Sequence, residues 1–248
     1  MNSLLLVTGG SRGIGASVAR QAAVRGYDVV VNYTRDAQAA EAVAADVRAA
    51  GREAWTFQAD VGDEAQVLAM FAMLDGLKRP LTALVNNAGV VDQPQRVDAM
   101  SGERFRRMFA INVFGSLYCA REAVRRMSTK HGGAGGAIVN LSSAAAKLGS
   151  PNQYVDYAAA KGAIDTFTLG LAREVATEGI RVNAVRPGII DTEIHASGGL
   201  PDRARQLAPM VPMQRAGTAD EVAQAVVWLL SGASSYSTGA LLDVSGGR

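Results

Sequence analysis

Thr8-Gly9-Gly10-Ser11-Arg12-Gly13-Ile14-Gly15 decides the fold of this 248-residue chain. It follows the short apolar run Leu4-Leu5-Leu6-Val7 and opens a stretch, residues 13–25, whose apolar residues recur with helical period. A strand that passes into a helix through spaced glycines has a specific use. Gly9 lets the chain turn sharply, Gly13 lets the backbone approach a pyrophosphate, and Gly15 lets the helix lie close on the sheet. The helix start offers backbone N–H groups and a positive dipole end to that anion. Glycines can also serve as plain turns, but their place after a first strand and before a helix favours a dinucleotide.

Outward from this unit the same alternation repeats. Residues 27–33 read as a second strand, 36–50 as an Ala-rich helix, 54–58 as a third strand, 63–74 as a helix and 81–86 as a fourth strand. A long helix from 103 to about 128 precedes the strand 137–141. A helix over about 155–177, a strand at 181–185, a helix at 219–230 and a last strand near 240–244 complete the chain. This order predicts a doubly wound α/β fold, with a parallel sheet of about seven strands covered by helices on both faces, in one domain over residues 1–248. Two segments break the rhythm. Residues 131–136 (HGGAGG) read as a flexible loop inserted between helix and strand. Residues 188–215 carry Gly198-Gly199, Pro201, Pro209 and Pro212; they are expected to hold a short helix around 202–207 and to form a lid over a site.

Composition narrows the setting. With 48% hydrophobic residues and a formal net charge of +2, the chain has enough apolar side chains for a full core and no basic stripe for nucleic acid. The one cysteine, Cys119, has no intrachain partner, which suits a reducing cytoplasm. The apolar start is too short for a secretory signal, and no stretch approaches the ~20 apolar residues of a membrane span. A cytoplasmic protein is expected, with neither nucleic acid nor membrane as partner.

The spacing Gly-x-x-x-Gly-x-Gly resembles the fingerprint of the short-chain dehydrogenase/reductase family, and further marks of that family follow in order along essentially the whole chain. The resemblance implies a Rossmann fold and an NAD(P)(H)-dependent oxidoreductase acting on a small carbonyl or alcohol. It implies cofactor contacts at Gly9, Ser11, Arg12, Gly13, Ile14 and Gly15. Asp60-Val61 would meet the adenine, Asn86-Asn87-Ala88-Gly89 would wall the adenine ribose, and Pro187-Gly188 through Ile190 to Thr192 would hold the nicotinamide carboxamide. Taken singly, Asp60 could instead cap a helix, and Asn86 and Asn87 could close a turn. The second strand ends in Asn32-Tyr33-Thr34-Arg35, without the carboxylate that NAD-selective folds place there. NADP(H) is therefore favoured, with Arg35 gripping the 2′-phosphate and Asn32, Thr34 or Arg12 adding donors. Asp36 beside Arg35 keeps NAD(H) as a rival.

The chemistry reads from Tyr157 and Lys161, whose i, i+4 spacing puts both on one helix face. A phenol with an ordinary pKa of ~10 is a poor base, and a neighbouring ammonium is expected to lower it. On an ordinary surface helix such a pair means nothing; downstream of the glycine loop it reads as a proton donor and its tuner. Ser143 follows the strand 137–141, at the carboxyl edge of the sheet where ligands bind, with Ser142 as competitor. Alignment with the family chooses Ser143 to orient the substrate oxygen. Asn112 resembles the family's helix asparagine, which steadies a water beside the lysine; its alternative role is a polar kink. The resemblance implies hydride transfer between nicotinamide C4 and a substrate carbon, with Lys161 also on the nicotinamide ribose. His131 and His195 stand alone, so no metal site is expected.

Residues 149–157 are one longer than the family's usual spacing, which puts an insertion at the substrate entrance and makes Tyr154 either pocket wall or helix packing. Ketoacyl-carrier-protein reductases, polyol dehydrogenases and small-carbonyl reductases compete as subtypes. Glu178 stands where carrier-protein enzymes tend to hold a basic residue, although Lys130, Arg125 and Arg126 could replace it. Nucleotide-sugar epimerases are usually longer, and cofactor-sensing relatives typically lose the Tyr or the Lys. A homotetramer is implied by the resemblance, through Met108, Ile111, Val113, Phe114, Leu117 and Tyr118 on one helix and Ile164, Phe167 and Leu171 on another; the alternative is that these are ordinary core.

Overall fold

The computed structural model describes residues 3–193 and 198–248; His195 lies outside them. Seven parallel strands form one sheet: β1 (Ser3–Val7), β2 (Tyr27–Tyr33), β3 (Ala54–Gln58), β4 (Leu81–Asn86), β5 (Gly136–Leu141), β6 (Ile180–Pro187) and a C-terminal strand (Leu241–Val244). Their order is β3-β2-β1-β4-β5-β6 followed by the C-terminal strand. Strand period sorts the side chains between two cores. Leu5 and Val7 of β1, with Val29 and Val31 of β2, pack beneath α1 (Gly13–Val24), α2 (Ala37–Ala49) and the last helix, Ala219–Leu230. Leu4, Leu6 and Val30 face the other way, onto α3 (Glu64–Gly76), α5 (Gly115–Met127) and α7 (Val155–Val175). The order reverses direction between β1 and β4, so the loops leaving their carboxyl ends diverge and open a crevice there.

The long helix expected at 103–128 is interrupted. α4 (Gly102–Phe109) and α5 are joined by a π turn at Ala110–Phe114. Asn112, fully buried, explains the break. Its amide donates to the Met108 and Val90 carbonyls at 3.0 Å each, and its Oδ1 accepts from the Val90 N–H at 3.1 Å. A side chain that bonds to backbone in this way competes with the helix ladder. Gly115 then lets α5 approach the turn after β3, since a Cβ there would lie 2.6 Å from Val61 Cγ2.

The flexible insertion read at 131–136 is corrected. A Cβ at Gly133 would overlap the Arg126 carbonyl of α5, and one at Gly136 the Thr82 carbonyl of β4, so these two glycines are required by close packing. The segment 188–215 does hold its short helix, Arg203–Leu207. Its ends are tied by a small pair that the sequence reading missed, β7 (Ile190–Asp191) on β8 (Gly217–Thr218). Of the apolar faces assigned to subunit contacts, Met108, Val113 and Ile164 are buried within the chain itself, whereas Phe114 is 47% exposed.

Candidate active site

The glycine loop is braced from the next strand of the crevice. Asn87 donates through Nδ2 to the Thr8 and Gly9 carbonyls at 2.9 Å each, and Thr8 Oγ1 accepts from the Asn87 and Ala88 N–H groups at 3.0 Å. Gly9 turns with φ +60° and Gly13 with φ +53°. A Cβ at Gly15 would lie 2.5 Å from both Asn87 Nδ2 and the Gly9 carbonyl, so the helix can start this close only without a side chain. Arg12, the N-cap of α1, supplies no side-chain cap, and the first turn holds no acidic residue. By contrast Asp36, Asp63, Ser101 and Thr218 cap α2, α3, α4 and the last helix. An uncapped helix start aimed out of a glycine loop fits a phosphate.

One assignment changes around it, and two alternatives are set aside. Asn32 cannot serve as a phosphate donor: it is 1% exposed, its Oδ1 accepts from the Gly9 N–H, and its Nδ2 donates to the Phe57 and Ala59 carbonyls. It holds the loop instead. Asp60 is not a helix cap, since Asp63 caps α3; Asp60 Oδ1 accepts from the Gly62 N–H at 2.9 Å. Asn86 and Asn87 do more than close a turn: Asn86 is 3% exposed and donates to Asn140 Oδ1 and the Ser116 carbonyl. Thr34 and Arg35 are exposed beyond β2, Tyr33 is half-buried, and Val61 is buried.

The chemical groups converge where β5 and α7 meet. Ser143 Oγ accepts from the Ala145 N–H at 3.1 Å, at the start of α6 (Ala145–Leu148), and lines the same cleft as Tyr157. Ser142 is turned inward, 3% exposed, and donates to the Lys161 carbonyl. Lys161 is 4% exposed; its Nζ donates to the Leu141 carbonyl at 2.6 Å and lies 5.6 Å from the Tyr157 ring centroid. A Cβ at Gly89 would stand 2.8 Å from Asn112 Oδ1 and 3.7 Å from Lys161 Nζ, so Gly89 separates those two side chains.

The electrostatics reverse one expectation. Burial pushes the Tyr157 phenol up to about 12, opposed by the Ser143 hydroxyl, and Lys161 is not among the groups that lower it. Burial also brings Lys161 down to about 8, opposed by Asp165. The lysine is committed to the Leu141 carbonyl rather than to the phenol oxygen. Burial thus favours the neutral phenol.

One cleft is lined by Ile14, Asn87, Gly89, Ser143, Tyr154, Tyr157, Lys161, Pro187, Gly188, Ile190 and Thr192. The remaining expected residues stand outside its lining, with Asn112 behind Gly89. The inserted segment forms its rim: Ser150 and Asn152 adopt φ +46° and +60°, and Tyr154 is 7% exposed with its ring under the Arg203 guanidinium at 5.0 Å. Tyr154 thus both lines the cleft and packs. Arg203 and Arg248 line the cleft too, and sequence reading missed both. No local pattern marks them; the aromatic Tyr154 beside a lid helix was the one available hint.

A family described as enoyl-(acyl carrier protein) reductase matches residues 9–248. A solved short-chain dehydrogenase from Burkholderia cenocepacia, in complex with NADP, superposes with a TM-score of 0.87 at 34% identity, covering 98% of this chain and 96% of that one. The chain belongs to the short-chain dehydrogenase/reductase family. Like its relatives, this dehydrogenase/reductase is an oxidoreductase of an NAD(P)-binding fold. It is 54% identical over 246 residues to an uncharacterized oxidoreductase of Escherichia coli, YgfF, covering 99% of this chain and 100% of the relative. It is 36% identical over 248 residues to a 3-oxoacyl-(acyl-carrier-protein) reductase of Staphylococcus aureus, FabG, covering 100% and 98%.

Proposed function

We propose that this enzyme reduces a small carbonyl compound with NADP(H) preferred, using Tyr157, Ser143, Lys161 and Asn112. The observation that carries this reading is the meeting of Ser143, Tyr157 and Lys161 in the lining of one cleft, with Tyr157 and Lys161 on the same helix. Bound, the nicotinamide would supply a hydride to the carbonyl carbon. Tyr157 gives its proton to the carbonyl oxygen, and Ser143 orients that oxygen. Lys161 stands where it would hold the nicotinamide ribose, and Asn112 fixes the backbone at Val90 behind it. Thr8, Asn87 and the uncapped start of α1 shape the phosphate end. The exposed Arg35 and the absence of a carboxylate at the end of β2 support NADP(H), as does the NADP complex of a relative.

Reduction of carrier-protein thioesters is the second reading, supported by the FabG relative. Against it, Arg125 pairs with Glu122, Arg126 pairs with Asp75 and Glu122, and Glu178 accepts from Ser128, which leaves this face close to balanced in charge. A cofactor-sensing protein is disfavoured by the intact Ser-Tyr-Lys-Asn set, and an epimerase by the full-length match to an oxidoreductase. A homotetramer and a cytoplasmic setting belong to the same proposal, resting on the exposed Phe114 and the half-buried Tyr118 and Phe167, and on a buried free Cys119. Among the described residues no helix is long and apolar enough to cross a membrane. The test is a panel of carbonyls, including a nucleotide sugar, with wild type and Tyr157→Phe. The variant is expected to lose about 10²- to 10⁴-fold in kcat while cofactor binding persists; a variant keeping a tenth of wild-type kcat would assign the proton to another group.

A further inference from the structure

We infer that the substrate of this enzyme carries an anionic group, a carboxylate, recognised by Arg203 and Arg248 in the lining of the catalytic cleft. The inference rests on the reading of the site given above and adds the substrate class. The ionisable groups in the cleft lining are Tyr154, Tyr157, Lys161, Arg203 and Arg248, with no aspartate or glutamate among the described residues. Lys161 gives one donor to the Leu141 carbonyl and is assigned above to the cofactor ribose, so the two guanidinium groups are the charges left to meet a substrate.

Their surroundings separate them from the other arginines nearby. Arg104 carries Asp156, Arg186 carries Asp165, and Arg205, on the same short helix as Arg203, carries Asp202. Arg203 has neutral partners: Nη2 donates to Gln153 Oε1 at 2.6 Å, and its plane lies 5.0 Å over the Tyr154 ring. Stacking on the ring and anchoring one nitrogen fix the guanidinium while its remaining donors stay available for bidentate capture of a carboxylate. Arg248 is held through its backbone, its carbonyl accepting from Ser245 Oγ at 2.9 Å, and its side-chain Nη1 is buried with no hydrogen-bond partner. Buried guanidinium donors rarely stay unpaired, and Arg248 lines the cleft.

The rest of the wall suits a short acid. Leu148, Ala144, Ala145 and Val91 are apolar, and Ser150 lies at the rim. A short-chain oxo acid would put its carbonyl on Ser143 and Tyr157 and its carboxylate on the arginines.

The experiment compares short-chain 2-oxo and 3-oxo acids with their methyl esters as substrates of the full chain, for wild type, Arg203→Met and Arg203→Lys. Wild type is expected to prefer an acid over its ester by at least about 10-fold in kcat/KM, chiefly through KM, the scale of one charge-assisted hydrogen bond. Arg203→Met, which keeps the length of the side chain, should lose about 10- to 100-fold on the acid and less than about threefold on the ester, with Arg203→Lys in between. A phosphorylated carbonyl that outruns the acids would keep the anion and change its source. Equal use of acid and ester by wild type, or equal losses on both in Arg203→Met, would overturn the inference while leaving the catalytic reading intact. A chain that reduces no carbonyl at all would overturn both.

Discussion

Lys161→Met should make the protein more stable and inactive at once. Lys161 is 4% exposed and burial brings its pKa from 10.5 down to about 8. A gap of that size, converted at 1.36 kcal/mol per pKa unit, means that folding with the charged lysine costs about 3 kcal/mol. The hydrogen bond to the Leu141 carbonyl returns about 1 kcal/mol, which methionine forfeits, so the variant should gain about 2 kcal/mol at pH 7. For a chain of this length that is a rise in Tm of about 4–8 °C. The pH dependence has a definite sign. Below about 8 both folded and unfolded lysines are charged and the penalty is complete. Between about 8 and 10.5 the unfolded chain keeps the proton that the folded chain has released, so wild-type stability rises with pH through this window. Above it the variant keeps only the lost hydrogen bond and should be slightly the less stable of the two. Urea unfolding of both proteins from pH 6 to 11 measures the difference directly. A variant less stable than wild type at pH 7, or an advantage that does not change with pH, would refute the reasoning.

Two further outcomes are expected. Asp156 is 4% exposed, directly precedes Tyr157, and holds Arg104 by bonds of 2.7 and 3.1 Å; Asp156→Asn strands a buried guanidinium and should cost about 3–5 kcal/mol in calorimetry, together with turnover. A loss under about 1 kcal/mol would mean the pair does not hold the catalytic helix. Wild type should favour NADPH over NADH more than about threefold in kcat/KM, and Arg35→Ala should abolish the preference through the lost 2′-phosphate contact; a variant that keeps the preference removes Arg35 as selector.

What could be read in advance was local. Glycine spacing, strand alternation and the i, i+4 Tyr157–Lys161 pair each lie within one element, and each placed its element to within a few residues. A polar kink at Asn112 was the alternative reading, but the π turn itself was not legible because Val90, which holds both ends of the Asn112 amide, is distant in sequence. Asn32 was misassigned for the same reason: nothing near it shows that β3 and the loop after it consume its amide. Proximity suggested that Lys161 lowers the Tyr157 pKa, but the depth of burial that decides the direction belongs to the assembled fold. Arg203 and Arg248 stand far apart in the chain and share only the lining of the assembled cleft.

The π turn at Ala110–Phe114 also sets the rotational phase of α5. Beyond it, Cys119, Ala120, Ala123 and Met127 face the sheet. One residue is worth about 100° of rotation in an α-helix. A chain one residue shorter in this turn would keep every side chain of α5 yet present a different face to β4, swinging part of the small apolar stripe into solvent and bringing charged neighbours such as Arg121 round toward the core. The same shift would move Asn112 off Val90 and unseat the backbone beside Gly89. Length at 110–114 is thus under tighter constraint than composition, and the sheet packing and the lysine's surroundings are bound to a single count of residues.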